Sequence, residues 1–292
     1  MDPVTPEPAT AFPEFRYFDL PRYILELMPV PSQLGLTFSS RHPSHRSAAI
    51  ADSGALTIIR AQDRATTATD SVTSRHSFSF GDHYDPDNTH FGTLLVNNDE
   101  RVSPGHGFDT HPHRETEIVT WVTEGSLVHQ DSEGHCGVIH PGLAQRMSAG
   151  TGILHSEMND VVQAAETRFV AMWIAPDESG HAPSYDQHDV TGELGRGGLV
   201  AVASGDPAHD SAIRIANRSS TMFAARLAAG ASVALPPARF THLFVTAGSL
   251  RLADETLGTG DAVRTGDIGG EPVTAITDCE LLVWAMSRRL GE

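Results

Sequence analysis

Two short motifs in this sequence carry residues suited to chemistry. His111-Pro-His113 follows the Gly-rich turn Gly105-His-Gly107, and His155-Ser-Glu157 follows Gly150-Thr-Gly152. In an extended strand, residues two apart point to the same face, so the members of each pair project together. If the two strands face one another across a barrel, three imidazoles and one carboxylate converge on one point. That donor set suits Fe, Mn, Co, Ni, Cu or Zn and leaves room for water or substrate. Each ligating imidazole nitrogen must be neutral, and a neighbouring acceptor normally fixes the other nitrogen. The chain has 16 histidines, so about one His-x-His arises from composition alone. The weight comes from the conjunction of His-x-His, Pro141-Gly142, Gly150-x-Gly152 and His-x-Glu.

Flanking residues extend the candidate site. Glu117, Val119 and Trp121 continue the parity of His111 and His113, so they should face the same interior if no bulge intervenes. Glu117 reads equally well as an acid behind a metal, with a raised pKa, or as a paired structural glutamate. Gln145 and Met147 share parity and could line a pocket, although filling the core is the favoured role for Met147. His76, His83 and His90 lie in a Phe/Asp/Gly-rich stretch that reads as strand then turn, which favours structural roles. Cys136 sits in the turn Gly134-His-Cys-Gly137, where nothing lowers a thiol pKa.

The elements that would position these groups are short strands. Runs such as Leu56–Arg60, Thr93–Val96, Ile118–Val122, Arg168–Ile174 and Leu281–Trp284 are rich in β-branched and aromatic residues and end at turn signals. They predict an all-β sandwich or barrel. An internal repeat sharpens this: Trp121-Val-Thr-Glu-Gly125-Ser-Leu127 recurs as Phe244-Val-Thr-Ala-Gly248-Ser-Leu250, which predicts two β-barrels made by duplication. Residues 175–198 read as a linker or irregular crossing segment. The first ~45 residues read as a proline-rich tail, with a short helix over 21–28 starting at Pro21.

The chain has 292 residues, with 20 Lys+Arg against 37 Asp+Glu and a formal charge of −17. So acidic a surface repels phosphate backbones and anionic lipid, which argues against direct nucleic-acid or membrane binding. No apolar stretch approaches the ~20 residues needed to span a bilayer, and the N-terminus lacks a secretory pattern. Cys136 and Cys279, the only cysteines, read as two thiols in a reducing cytoplasm.

The motifs resemble the pirin family of the cupin superfamily. The residues that carry the resemblance are His111-Pro-His113-Arg114, Glu124-Gly125, Pro141-Gly142 and Ala149-Gly-Thr-Gly-Ile-Leu-His155-Ser-Glu157. Arg75-His-Ser-Phe-Ser-Phe80, Tyr84-Asp-Pro86 and Trp173-Ile-Ala-Pro176 resemble the bacterial branch that includes pirin-like quercetinases. The resemblance implies a bicupin of two jelly-roll barrels, with a metal-binding cupin over 46–190 and a degenerate cupin over 191–292. It implies one metal, held in the N-terminal barrel only by His111, His113, His155 and Glu157. Iron comes first, with Ni, Cu, Mn, Co and Zn left open. Glu115-Thr116 departs from the Gly-Phe of many eukaryotic members, which should alter the mouth of the site. Aligning the repeat at Gly248 puts Ala234 and Pro236 in place of His111 and His113, so the second barrel should hold no metal.

The function implied is metal-dependent dioxygenation by an oxidoreductase that takes a small aromatic or enol substrate and O2, in the manner of a quercetin 2,3-dioxygenase. The metal would lower the pKa of the substrate hydroxyl, and Glu157 would act as general base. The alternative is a non-enzymatic, redox-responsive metal protein that regulates a partner protein. A substrate-sized pocket beside the ion would favour the first reading.

Overall fold

The computed structural model describes residues 55–159 and 165–292, and the tail and helix expected before residue 46 lie outside them. The first strand is β1 (Thr57–Ile59). The first barrel then takes β2 (Ala65–Ala68), β3 (Val72–His76), β4 (Leu94–Val102), β5 (Gly107–His113), β6 (Glu117–Glu124) and β7 (Leu127–Asp131). It is completed by β8 (Cys136–Ile139), β9 (Leu143–Ser148), β10 (Ile153–Asn159), β11 (Thr167–Ile174) and β12 (Ser184–Asp189). After a one-turn helix, α1 (Thr191–Leu194), come β13 (Val200–Ser204), β14 (Ile213–Arg214), β15 (Ser220–Leu227), β16 (Ser232–Ala234) and β17 (Ala238–Ala247). The last five strands are β18 (Ser249–Leu252), β19 (Glu255–Gly258), β20 (Ala262–Ile268), β21 (Pro272–Ala275) and β22 (Cys279–Met286).

Each barrel pairs a seven-stranded sheet with a four-stranded one. In the first the orders are β12-β9-β6-β11-β4-β3-β2 and β5-β10-β7-β8; in the second they are β1-β20-β17-β22-β15-β13-β14 and β16-β21-β18-β19. Apart from the edge strands the two orders correspond, β9-β6-β11-β4-β3 to β20-β17-β22-β15-β13 and β5-β10-β7-β8 to β16-β21-β18-β19, so the repeat seen in the sequence is a repeat of topology. Gly125 and Gly248, the pivots of that repeat, both turn with φ of 74°, a left-handed conformation that glycine adopts without steric cost. No helix among the described residues is long and apolar enough to cross a membrane.

Two placements go beyond the sequence reading. Strand β1 leaves the first barrel and pairs with β20 of the second, Ile58 opposite Val263, while Arg60 bonds Asp261 and Glu255. The segment 175–198, read as a linker, contains β12, which pairs along β9 from Ser184–Ser148 to Asp189–Leu143.

The central strands are apolar on both faces because both faces are covered. On β22, Leu281 and Val283 fill the second barrel, while Leu282, Trp284 and Met286 face the first. On the facing sheet, Val119, Trp121, Val170 and Met172 meet them. Each such fully buried side chain contributes about 1.5–3 kcal/mol. The indole N–H of Trp121 donates to Glu280 across this interface at 2.9 Å.

The barrel interiors differ. Leu243, Val245, Leu250, Leu257, Val273 and Leu281 close the second barrel with aliphatic side chains. The first splits its apolar filling into two smaller groups, one around Met147 and Trp173 and one around Leu127 and Phe169. Between them lie polar residues, and there the site is built.

Candidate metal centre

Strands β5 and β10 are antiparallel neighbours in the four-stranded sheet, with His111 opposite His155 and His113 opposite Ile153. The two motifs therefore meet side by side, and not across the barrel as the sequence suggested. A register shift between His155 and Glu157 places Glu157 opposite Phe108. The ring centroids of His111, His113 and His155 lie 4.8, 4.4 and 4.8 Å apart. One ligand nitrogen from each lies within 4.8 Å of the others, forming a buried three-histidine metal-binding site.

The hydrogen bonds leave these rings short of partners. The Nδ1–H of His111 donates to the carbonyl of Asp109 at 2.6 Å, which frees Nε2. Nδ1 of His113 and Nε2 of His155 are buried without a partner. Burial lowers the pKa of all three, and neighbouring imidazoles lower those of His113 and His155 further. The rings are thus neutral at pH 7, with lone pairs free for a cation. Orphaned buried nitrogens of this kind cost free energy unless something binds them, and a transition-metal ion fits.

Glu157 lines the same cavity. Burial pushes its carboxyl up to about 7, opposed by the hydrogen bond from Thr120 Oγ1. The cavity has a volume of about 580 Å³, and Phe80, Phe108, Phe169 and Trp173 are among the residues that line it. Trp173 packs edge-on against His113, centroids 4.8 Å apart. On the wall away from the histidines, burial raises Glu100 to about 8, against the hydrogen bond it accepts from Ser74 Oγ.

Gly107 shows how tightly β5 lies on β10. A Cβ there would sit 2.1 Å from the carbonyl oxygen of Glu157 and 2.7 Å from Met158 Cα. Both are backbone atoms and cannot swing aside. Gly107→Ala is expected to cost about 1–3 kcal/mol, the range for overpacking, and to weaken metal binding by displacing Glu157. A thermal melt with a metal titration checks both.

The structure overturns some sequence expectations and bears out others, among them the core-filling role of Met147, the paired structural reading of Glu117 and the two free thiols. Glu117 does not back the metal: its carboxylate accepts from Ser148 Oγ at 2.8 Å and from the Ala216 N–H of the second barrel at 3.0 Å. The parity argument failed at Glu115, whose φ of 50° turns the chain, so that Ile118 and Thr120 face the interior while Val119 and Trp121 face the other barrel. Met147 is wholly buried against Ile118, Ile153 and Trp173 and fills core without lining the cavity. Gln145 is buried opposite Thr120 with Oε1 unpartnered, also away from the cavity wall. Glu115 does not shape the mouth, since its carboxylate holds the Gly180 N–H. His83 bonds the Thr66 carbonyl, whereas His76, expected to be structural, stacks on Phe80 and lines the cavity. Both cysteines are free thiols, Cys136 exposed and Cys279 buried.

In the second barrel Ala234 pairs with Pro272, where His111 pairs with His155 in the first. Among the described residues, the only histidine cluster with metal-binding geometry is in the first barrel. Sequence reasoning missed Glu100 and His129, which is buried and stands opposite Glu157 on β7. His129 follows Leu127 at inward parity, a signal that was readable after the Gly125 turn.

Two cupin-type β-barrels in one chain, with a histidine metal site in the first, define a bicupin. The chain belongs to the pirin family: the family model described as Pirin matches residues 59–174, and the quercetinase C-terminal cupin domain matches residues 201–286. A Mycobacterium tuberculosis protein named "putative quercetin 2,3-dioxygenase" is 56% identical over 237 residues, spanning 80% of this chain and 96% of the relative. A quercetin 2,3-dioxygenase of Escherichia coli is 46% identical over 114 residues, 39% of this chain and 49% of the relative. The crystal structure of a bacterial pirin from Escherichia coli in complex with nickel(II) aligns with a TM-score of 0.73 at 30% identity, covering 80% of this chain and 100% of that one.

Proposed function

We propose that this protein is a metal-dependent dioxygenase that opens the ring of a flavonol or related enol with O2. In this reading His111, His113, His155 and Glu157 hold one transition-metal ion, iron first among the candidates, although the related bacterial pirin holds nickel(II). The observation that carries the reading is the cavity of about 580 Å³ whose aromatic walls end at the three imidazoles and Glu157. Pockets of this size and lining suit small planar ligands. A bound ion would supply Lewis acidity toward the substrate's hydroxyl and ketone oxygens. The names of the relatives support the same substrate class.

The chain's own residues have separable tasks. Phe80, Phe108, Phe169 and Trp173 hold an aromatic ring flat and keep water from the reacting edge. Glu157, held near neutrality, takes the hydroxyl proton. Glu100, protonated at pH 7, presents an un-ionised carboxyl able to donate a hydrogen bond to a substrate oxygen. The test is oxygen uptake by metal-loaded protein given quercetin. Substrate binding without oxygen consumption would end the proposal. Glu157→Gln is expected to bind metal more weakly and, when loaded to the same metal content as wild type, to bind quercetin but to lower turnover by about 10²–10⁴-fold, the usual contribution of a positioned base, measured as kcat in the same assay.

A further inference from the structure

Behind the three histidines, on the side away from the cavity, lies a chain of polar groups that the dioxygenase reading does not use. His155 Nδ1 stands 3.5 Å from His129 Nδ1. The other nitrogen of His129, Nε2, stands 3.3 Å from Asp131 Oδ2. The Asp131 side chain is wholly buried, and its Oδ1 accepts the backbone N–H groups of Glu133 and His135 at 3.0 Å each. The ring of His135 adds a bond to Oδ2 at 2.9 Å. Tyr185 of β12 covers His129, ring centroids 4.9 Å apart.

We propose that Asp131 and His129 are positioning residues that fix the tautomer of His155 and so present its Nε2 to a metal. Hydrogen-bond direction sets the proton positions along this chain. A carboxylate gripped by two backbone N–H groups and an imidazole can only accept, so His129 Nε2 must carry the proton. In a neutral imidazole the other nitrogen is then an acceptor, so His129 Nδ1 offers a lone pair. His155 Nδ1 faces that lone pair and must be the donor. Its remaining nitrogen, Nε2, is deprotonated, and it is the atom that is buried without any partner. Burial alone would raise the pKa of Asp131, but the backbone and ring hydrogen bonds prevail and hold it below the usual carboxylate range. Acceptors behind ligating histidines commonly set ring orientation and basicity; here the acceptor acts through a second histidine.

The inference rests on the reading of His155 as a metal ligand, and its test separates the two. Asp131→Asn keeps a carbonyl oxygen for the two backbone N–H groups but turns an amide donor toward His129, which reverses every bond in the chain. His129→Phe keeps a ring against Tyr185 and removes the acceptor. Nickel(II) affinity, measured by competition with a chromophoric chelator, is expected to fall about 10–100-fold in each. Ring-nitrogen NMR of metal-free wild type is expected to show His155 protonated at Nδ1, and Asp131→Asn is expected to move that proton to Nε2. A purely structural role would not move the proton. Wild-type affinity in both variants, or an Nε2–H tautomer in wild type, would overturn the inference. Wild type that binds no nickel would instead sink the metal reading, while the tautomer would still decide the hydrogen-bond chain. If neither variant folds, the wild-type spectrum decides alone.

Discussion

His113→Ala is expected to bind nickel or iron more than about 100-fold more weakly than wild type, because loss of a ligand should exceed the 10–100-fold typical of losing a group behind one. Wild type should hold about one equivalent per chain. His113 is chosen because it is buried, 4.8 Å from each of the other two rings and edge-on to Trp173. The control is stability without metal. Truncation opens a small cavity, yet it also removes a buried imidazole whose Nδ1 has no partner, so the two effects oppose one another. The melt of metal-free His113→Ala should therefore stay close to wild type. With metal at roughly 100 times the dissociation constant, wild type gains about 2.7 kcal/mol, or roughly 5–10 °C for a protein of this size. The variant, at or below its own dissociation constant, should gain no more than about 0.4 kcal/mol. Equal metal content in the two proteins, by elemental mass spectrometry, would remove the cluster from consideration as the metal site.

The site was legible in the sequence where its geometry is local, and illegible where it depends on distant pairing. His-x-His and His-x-Glu declare themselves because a strand repeats every two residues, and that period holds within β5 and within β10. It does not hold through the left-handed turn at Glu115, so Glu117 was assigned to the wrong face. The repeat around Gly125 and Gly248 was enough to reveal two barrels, because a glycine turn between apolar strands is itself a local signal. Strand β12 left no such signal: Ser-Tyr-Asp-Gln-His-Asp has no apolar alternation, and it is a strand only because β9 offers it an edge. Similarly, nothing in Thr57-Ile-Ile59 says that it pairs in the second barrel. The Asp131–His129–His155 chain was hidden because it joins two strands whose adjacency no local pattern states.

Stability of the metal-free protein is expected to peak at about pH 7 and to fall on both sides, for different reasons. On the acid side the cause is buried histidine. Burial lowers the pKa of His76 to about 4, of His111 and His129 below the usual 6.5, and of His113 and His242 well below it. His155 is lowered in the same way. Below pH 6.5 the unfolded chain takes up protons that the folded chain refuses, so stability falls as pH falls. Each histidine whose folded pKa lies far below the window costs about 1 kcal/mol between pH 6.5 and 5.5 by this linkage. On the alkaline side the cause is buried carboxyl. Glu100 and Glu157 are raised to about 8 and about 7, so the folded chain keeps protons that the unfolded chain has already lost. That contribution is whole below pH 4.5 and is lost as pH rises through 7 and 8. Between pH 4.5 and 6.5 the two effects oppose, and six histidines outweigh two glutamates. The unfolded histidines finish losing their protons about one pH unit above 6.5, and beyond that only the glutamates change. Two substitutions separate the limbs. Glu100→Gln cannot ionise and should flatten the decline from about pH 7 to 8, and it should steepen the acid limb above pH 4.5, where the Glu100 carboxyl opposes the histidines. His242→Phe lies between the barrels, where neither ring nitrogen has a partner; it should raise the melting temperature at pH 5.5 more than at pH 7.5. A Glu100→Gln curve that overlays wild type from about pH 7 to 8 would mean that Glu100 is already ionised there, and would leave Glu157 as the only carboxyl in the cavity able to hold a proton near neutrality.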